Sequence, residues 1–146
     1  MSIRVLFLSR SNAARSQIAE YLLNDMGSGR FAASSAGNAP IAINPQAIIA
    51  LGELGIDARN ATSKSIELFK DDHFDYVINI CDQSSSSCDN RRPDCPSLSG
   101  ITSHGCWGFE SSVGLMDQEE ALQHLRKVRD QIANRLRVWM LAVDRS

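Results

Sequence analysis

Residues 5–23 read VLFLSRSNAARSQIAEYLL, and three kinds of residue follow one another within them. Val5 to Leu8 is continuously apolar, the pattern of a strand covered on both faces. Ser9 to Arg15 is small or polar. From Ser16 onward Ile18, Ala19, Leu22 and Leu23 recur at helical spacing, and Gly27 and Gly29 predict where that helix stops. Strand, short loop and helix in succession form the first part of a parallel-sheet crossover. The spacing alone suits either an anion-holding loop or an ordinary polar turn with Arg15 in solvent.

The same alternation continues outward. Phe31 to Ser35 predicts a second short strand, followed by the turn-like Gly37-Asn38-Ala39-Pro40. Pro45 opens a predicted helix that carries Ala47, Ile48, Leu51 and Leu54, with Gly55 at its C-terminal side. Tyr76 to Ile80, YVINI, reads as another buried strand, and the Ser-, Asp-, Asn- and Pro-rich run from Cys81 to Gly100 as a long exposed loop. Near the C-terminus Leu122, Leu125, Val128, Ile132, Leu136, Trp139 or Met140, and Val143 form one apolar stripe at steps of three or four, which belongs to a core. Strands alternating with helices predict an α/β three-layer sandwich with parallel strands. No repeat or linker divides residues 1–146, so a single domain is expected. Ligands of such sheets bind at the C-terminal ends of strands, where both the Ser9 loop and the cysteine-rich segment fall.

Composition narrows the functional classes. A chain of 146 residues, 43% hydrophobic, can bury a core, and its net charge of -2 argues against nucleic acid and anionic membrane surfaces as partners. No run approaches the roughly 20 apolar residues of a membrane span, and the start of the chain has no cleavable signal pattern, so a cytoplasmic location is expected. Cys81, Cys88, Cys95 and Cys106 are crowded into one region rather than spread to staple distant segments. In a reducing compartment such clustering points to redox or metal chemistry.

A strand–loop–helix turn directs backbone N–H groups toward one point, and the helix adds its positive end. A tetrahedral oxyanion such as arsenate, phosphate or sulfate suits that point. The candidate binding set is Ser9, Arg10, Ser11, Asn12, Ala13, Ala14, Arg15 and Ser16. Arg15 supplies a planar two-pronged donor, Arg10 raises the local potential, and Asn12 tolerates left-handed backbone. Ser16 either caps the helix or supports the first residue of the loop.

The run S-R-S-N-A-A-R-S-Q resembles the C-x5-R-S loop of the low-molecular-weight protein tyrosine phosphatases and the related thioredoxin-coupled arsenate reductases, with Ser9 at the cysteine position. Further matches follow in the family's order: Arg15-Ser16-Gln17, Ala19-Glu20, Ser35-Ala36-Gly37, Pro45, Gly55-Ile56-Asp57, Ser63-Lys64, Trp107-Gly108-Phe109 and Val128-Arg129-Asp130. The resemblance implies a central four-stranded parallel sheet flanked by helices. It also implies a thiolate at position 9 that attacks the bound oxyanion, an arginine at Arg15 that steadies the developing charge, and an Asp on a later loop as acid. A serine hydroxyl is far harder to ionise than a thiol, so Ser9 is expected to bind without attacking.

The acid position departs too: Trp107-Gly108-Phe109 leads to Glu110-Ser111-Ser112 where the family has Asp-Pro. Glu110 is the candidate acid; Asp117, Glu119 and Glu120 read as solvated charges at a helix start. Cys81 and Cys88 resemble the redox pair of the arsenate reductases, implying catalytic roles alongside Ser9 and Arg15 and a partner such as thioredoxin or a similar thiol reductant. The nearest alternatives are a non-catalytic oxyanion-binding or regulatory homologue and a phosphatase. No cofactor is implied. A metal site of the four cysteines with His104 lacks the short C-x2-4-C spacing, so none is expected. Cys95 and Cys106 read as incidental thiols, and His73 and His124 as surface residues.

Overall fold

The computed structural model describes residues 2–82, 105–109 and 117–144. The elements in chain order are β1 (Ile3–Ser9), α1 (Arg15–Met26), β2 (Phe31–Gly37), α2 (Pro45–Gly52), a 3-10 turn (Ile66–Phe69), β3 (Tyr76–Asp82), β4 (Gly105–Phe109) and α3 (Gln118–Asp144). The strands form one sheet in the order β2-β1-β3-β4, and each neighbouring pair is parallel. β1 therefore lies inside the sheet, which is why its VLFL run is apolar at every position.

Successive side chains of β1 go to opposite faces. Val5 and Phe7 join the large core, with Ile18, Leu22 and Leu23 of α1, Ala47 and Leu51 of α2, and Leu125, Val128, Ile132 and Leu136 of α3. Leu6 and Leu8 join a smaller cluster with Ala36, Ile66, Phe74 and Val77. Among the described residues the two faces are covered unequally: α1, α2 and α3 lie over one, and the 3-10 turn with Phe74 over the other. The C-terminal stripe is core as expected, with Leu125, Ile132 and Leu136 fully buried.

Local chemistry accounts for the helix starts. Asn44 Oδ1 accepts the Gln46 amide at 2.9 Å, and Pro45 occupies the first turn of α2, where no N–H is required. After α1, Gly27 N–H bonds Leu23 O at 2.8 Å, and the left-handed pair Ser28 and Gly29 turns the chain toward β2.

Several expectations are corrected. β3 extends through Asp82, so Cys81 lies within a strand, next to its last residue, and does not open the loop; parallel pairing with Gly108 and Phe109 carries the strand past Ile80. The remainder of the expected long loop lies outside the described residues. α2 ends at Gly52, which leaves Leu54 half exposed beyond the helix and outside its apolar face. Pattern alone located three strands; the fourth is GCWGF, whose glycines interrupt the apolar run that marks a strand. His73 is exposed as expected, whereas His124 is half-buried on α3.

α2 and α3 are joined by charge as well as by apolar packing. Glu53 accepts from Arg126 Nε and from Arg129 Nη1, each at 2.9 Å, and Arg129 Nη1 also donates to the Ala50 carbonyl at 2.8 Å. The Arg126 guanidinium is the main cause holding the Glu53 carboxyl below its ordinary 4.5, with Arg129 adding to it. A depressed carboxyl contributes stability above its unfolded value, and that contribution is lost as pH falls through the folded value. Glu53→Gln is expected to melt below the parent at neutral pH, with the difference closing under acid conditions. Thermal melts near pH 7 and about pH 3 read this; an undiminished gap in acid would count against the pairing as its source.

Candidate functional site

The loop from Ser9 to Ser16 joins the C-terminal end of β1 to α1. Its carbonyls are turned away from its centre: Arg10 O accepts from Ala39 N, Ser11 O from Ile41 N, Ala13 O from Asn44 N, and Ala14 O from Ile18 N. Asn12 O accepts from Gln17 Nε2 and Ser63 Oγ. In a planar trans peptide the C=O of one residue and the N–H of the next point in opposite directions. Outward carbonyls from Arg10 to Ala13 therefore aim the amides of Ser11, Asn12, Ala13 and Ala14 to the inner side. A ring of inward N–H groups at a helix start is an anion cradle.

Asn12 makes this geometry possible. It is fully buried, and its φ of 51° is the left-handed conformation that asparagine tolerates better than most residues. Its Oδ1 accepts the Lys64 amide at 2.8 Å and Gln17 Nε2 at 2.9 Å, and its Nδ2 donates to Ser16 Oγ at 2.9 Å. Ser16 is fully buried and makes no helix cap; its hydroxyl lies 2.6 Å from Ser9 Oγ instead. Of the two roles open to Ser16, support of the first loop residue is the one found. Asn12 N–H donates to Ser9 Oγ at 3.1 Å, and Ser9 is buried at the base of the loop, 4% exposed.

Arg15 begins α1 half-buried, and its Nη1 donates to the Phe109 carbonyl at 2.8 Å. This contact links the loop after β1 to the C-terminal end of β4. Arg10 is exposed, and Ser11 and Ala14 are half-buried. Behind the loop Lys64 Nζ lies 3.4 Å from Glu20 Oε1, which also accepts from Ser35 Oγ at 2.8 Å. Ser63 Oγ donates to the Ile41 carbonyl as well as to Asn12 O.

Gln17, Gly37, Ser63 and Lys64 match the family's order by sequence alone. They form the back wall of the loop, and no local signal announces the contacts of Ser63 and Lys64 with Asn12, 51 and 52 residues away. Gly37 is the tightest point: a Cβ there would stand 2.6 Å from both Ser9 O and Arg10 O. Because both obstacles are backbone, Gly37→Ala is expected to cost about 1–3 kcal/mol and to displace the loop. Urea denaturation checks the first effect, and phosphate titration the second.

Cys81 lies near the C-terminal end of β3, opposite Gly108 of β4 in the ladder, and Cys106 lies within β4. Cys88, Cys95, His104 and Glu110 lie outside the described residues. Among the described residues no cluster of His, Cys, Asp or Glu could hold a metal ion, and no helix is long and apolar enough to cross a membrane.

A parallel sheet of order β2-β1-β3-β4, with a loop of inward-facing amides leading from β1 into α1, defines an α/β protein. The chain belongs to the low molecular weight phosphotyrosine protein phosphatase family, whose model matches residues 4–146. Within that family, arsenate reductases are among the proteins it is similar to. It is 30% identical to the arsenate reductase of Bacillus subtilis over 134 residues, 91% of each chain. It is 38% identical over 78 residues to the glutaredoxin arsenate reductase of Synechocystis sp.; that match takes in 53% of this chain and spans 60% of the relative. The solved structure of an arsenate reductase in the phosphate binding state superposes with a TM-score of 0.74 at 28% identity, covering 96% of this chain and 98% of that one.

Proposed function

We propose that this is an arsenate reductase-type protein that holds arsenate or phosphate in the loop from Ser9 to Ser16 and, with serine at position 9, forms no covalent arsenic adduct. The observation that carries the reading is the set of outward carbonyls, which leaves the loop amides facing one centre beside Arg15. The phosphate-binding state of the similar arsenate reductase supports the ligand class. Among the described residues the hydrogen-bond partners of Ser9 Oγ are Ser16 and Asn12, neither of which is a base. A serine without a base in contact is a poor nucleophile.

In this reading Cys81 and Cys88 are the thiol-exchange pair, and the outside partner is a dithiol reductant such as thioredoxin. The glutaredoxin arsenate reductase among the relatives supports a thiol reductant in general. Glu110 is the proposed acid. Arg15 is the charged, two-pronged donor to the oxyanion, and charge-assisted hydrogen bonds of this kind contribute more than neutral ones. Arg15→Ala is expected to weaken binding of inorganic phosphate by about 50-fold. Titration calorimetry on the unmodified chain and the variant reads this; phosphate binding of equal strength in both would overturn the assignment.

A further inference from the structure

Among the described residues β2 is the outermost strand on one side of the sheet. In a parallel ladder, successive residues of a strand turn their backbone groups to one side and the other in alternation. Arg30 O accepts from Ile3 N–H, so Ala32, Ser34 and Ala36 face β1, and Phe31, Ala33, Ser35 and Gly37 turn their backbone groups outward. A row of outward N–H and C=O groups is a template for another strand.

Two of these positions are met from within the chain. Gly37 N–H donates to Lys64 O at 2.9 Å, in a short parallel bridge with Ser65. Ala33 meets a side chain instead. Its N–H donates to Asn24 Oδ1 at 2.8 Å, and its carbonyl accepts from Asn24 Nδ2 at 3.1 Å. The Asn24 carboxamide, reaching over from α1, thus gives one donor and one acceptor to a single residue. Two residues that form a hydrogen-bonded pair in an antiparallel ladder make the same double exchange. The strand itself offers little resistance to such pairing. FAASSAG holds no charged residue and no proline, the usual guards of an edge, and Ala32, Ala33 and Ser34 are small.

We propose that the outer edge of β2 is a strand-addition surface for a second copy of this chain, and that Asn24 holds it shut from within. With Ala33 opposite Ala33 across a twofold axis, each would donate to and accept from the other, and the two sheets would become continuous. Such an interface is self-complementary, so the product is a closed dimer and not a fibre. Asn24 and the incoming strand compete for the same N–H and carbonyl, and each excludes the other. The proposal does not depend on the oxyanion reading.

The test is sedimentation velocity of the full chain over a range of concentrations, with amide hydrogen exchange at Ala33, for the unmodified chain and Asn24→Ala. In the unmodified chain the Ala33 amide is expected to be protected at every concentration, because Asn24 Oδ1 holds its hydrogen. Asn24→Ala is expected to self-associate at least about tenfold more strongly, since a strand pair makes several backbone bonds at once, and to protect Ala33 only as the dimer forms. Both lost bonds are exposed, so water replaces them in the monomer and the fold is kept. Adding Ala33→Pro to Asn24→Ala removes the N–H at the centre of the pairing, at an edge position where proline is tolerated, and is expected to restore the monomer. An Asn24→Ala chain no more associated than the unmodified one overturns the proposal, as does association that survives Ala33→Pro. Free exchange of the Ala33 amide in the unmodified chain overturns it without any variant.

Discussion

Ser9→Cys is expected to raise thioredoxin-dependent arsenate reduction from background by at least about 1,000-fold, the order of effect seen when a catalytic nucleophile is present or missing. The position is prepared for a thiolate: Asn12 N–H already donates to the atom at its end, the inward amides surround it, and α1 begins nearby. These features lower a thiol's pKa, whereas a serine hydroxyl lies too high for them to ionise it. In the variant the new thiolate would form a sulfur–arsenic bond and expel one arsenate oxygen as water. Attack on that sulfur by the Cys81 thiolate would break the bond, with the electron pair leaving on arsenic as arsenite. Two sulfurs are oxidised to a disulfide and arsenic is reduced by two electrons. Exchange with Cys88 would then pass the disulfide on, and a dithiol reductant would supply the two electrons that reset the chain. A folded Ser9→Cys protein that binds phosphate and yet reduces no arsenate would refute the reductase reading and leave a non-catalytic oxyanion binder.

The second large effect is expected at Asn12. Alanine there must adopt a φ of 51°, which costs an ordinary residue about 1–2 kcal/mol. It also removes the acceptor of the Lys64 amide, one of several acceptors of Gln17 Nε2, and the donor to Ser16. Buried donors left unsatisfied add about 1–3 kcal/mol each, so Asn12→Ala should lose about 3 kcal/mol or more of unfolding free energy and nearly all phosphate affinity. Asn12→Gly separates the two causes: it relieves the backbone conformation without restoring the side-chain bonds, and should recover only the smaller share. Chemical denaturation of both variants measures this, and a loss below about 0.5 kcal/mol for Asn12→Ala would show that the loop does not depend on this hub.

Much of this architecture was legible because it is local. An apolar VLFL run predicts a strand buried on both faces, and β1 is one, flanked by β2 and β3. The stripe from Leu122 to Val143 predicts one buried helix face, and Leu125, Val128, Ile132 and Leu136 occupy the core. The fourth strand was hidden because Gly105 and Gly108 break the pattern, and its pairing comes from β3 rather than from its own side chains. Leu54 misled for a related reason: helical spacing extrapolates past Glu53, but α2 stops at Gly52.

The candidate loop divides in the same way. Its residue types, from Ser9 through Asn12 to Arg15, are written in consecutive positions, and they sufficed to suggest an anion cradle and the absence of a thiol nucleophile. Its shape depends on partners brought from elsewhere: Ala39, Ile41 and Asn44 turn its carbonyls outward, Ser63 and Lys64 hold Asn12, and Phe109 receives Arg15. Hydrogen-bond periodicity and apolar spacing act within a few residues, so one chain segment can declare its own strand, helix and chemistry. Which carbonyls are bonded, and therefore which way the amides point, depends on segments that meet only when the sheet is assembled.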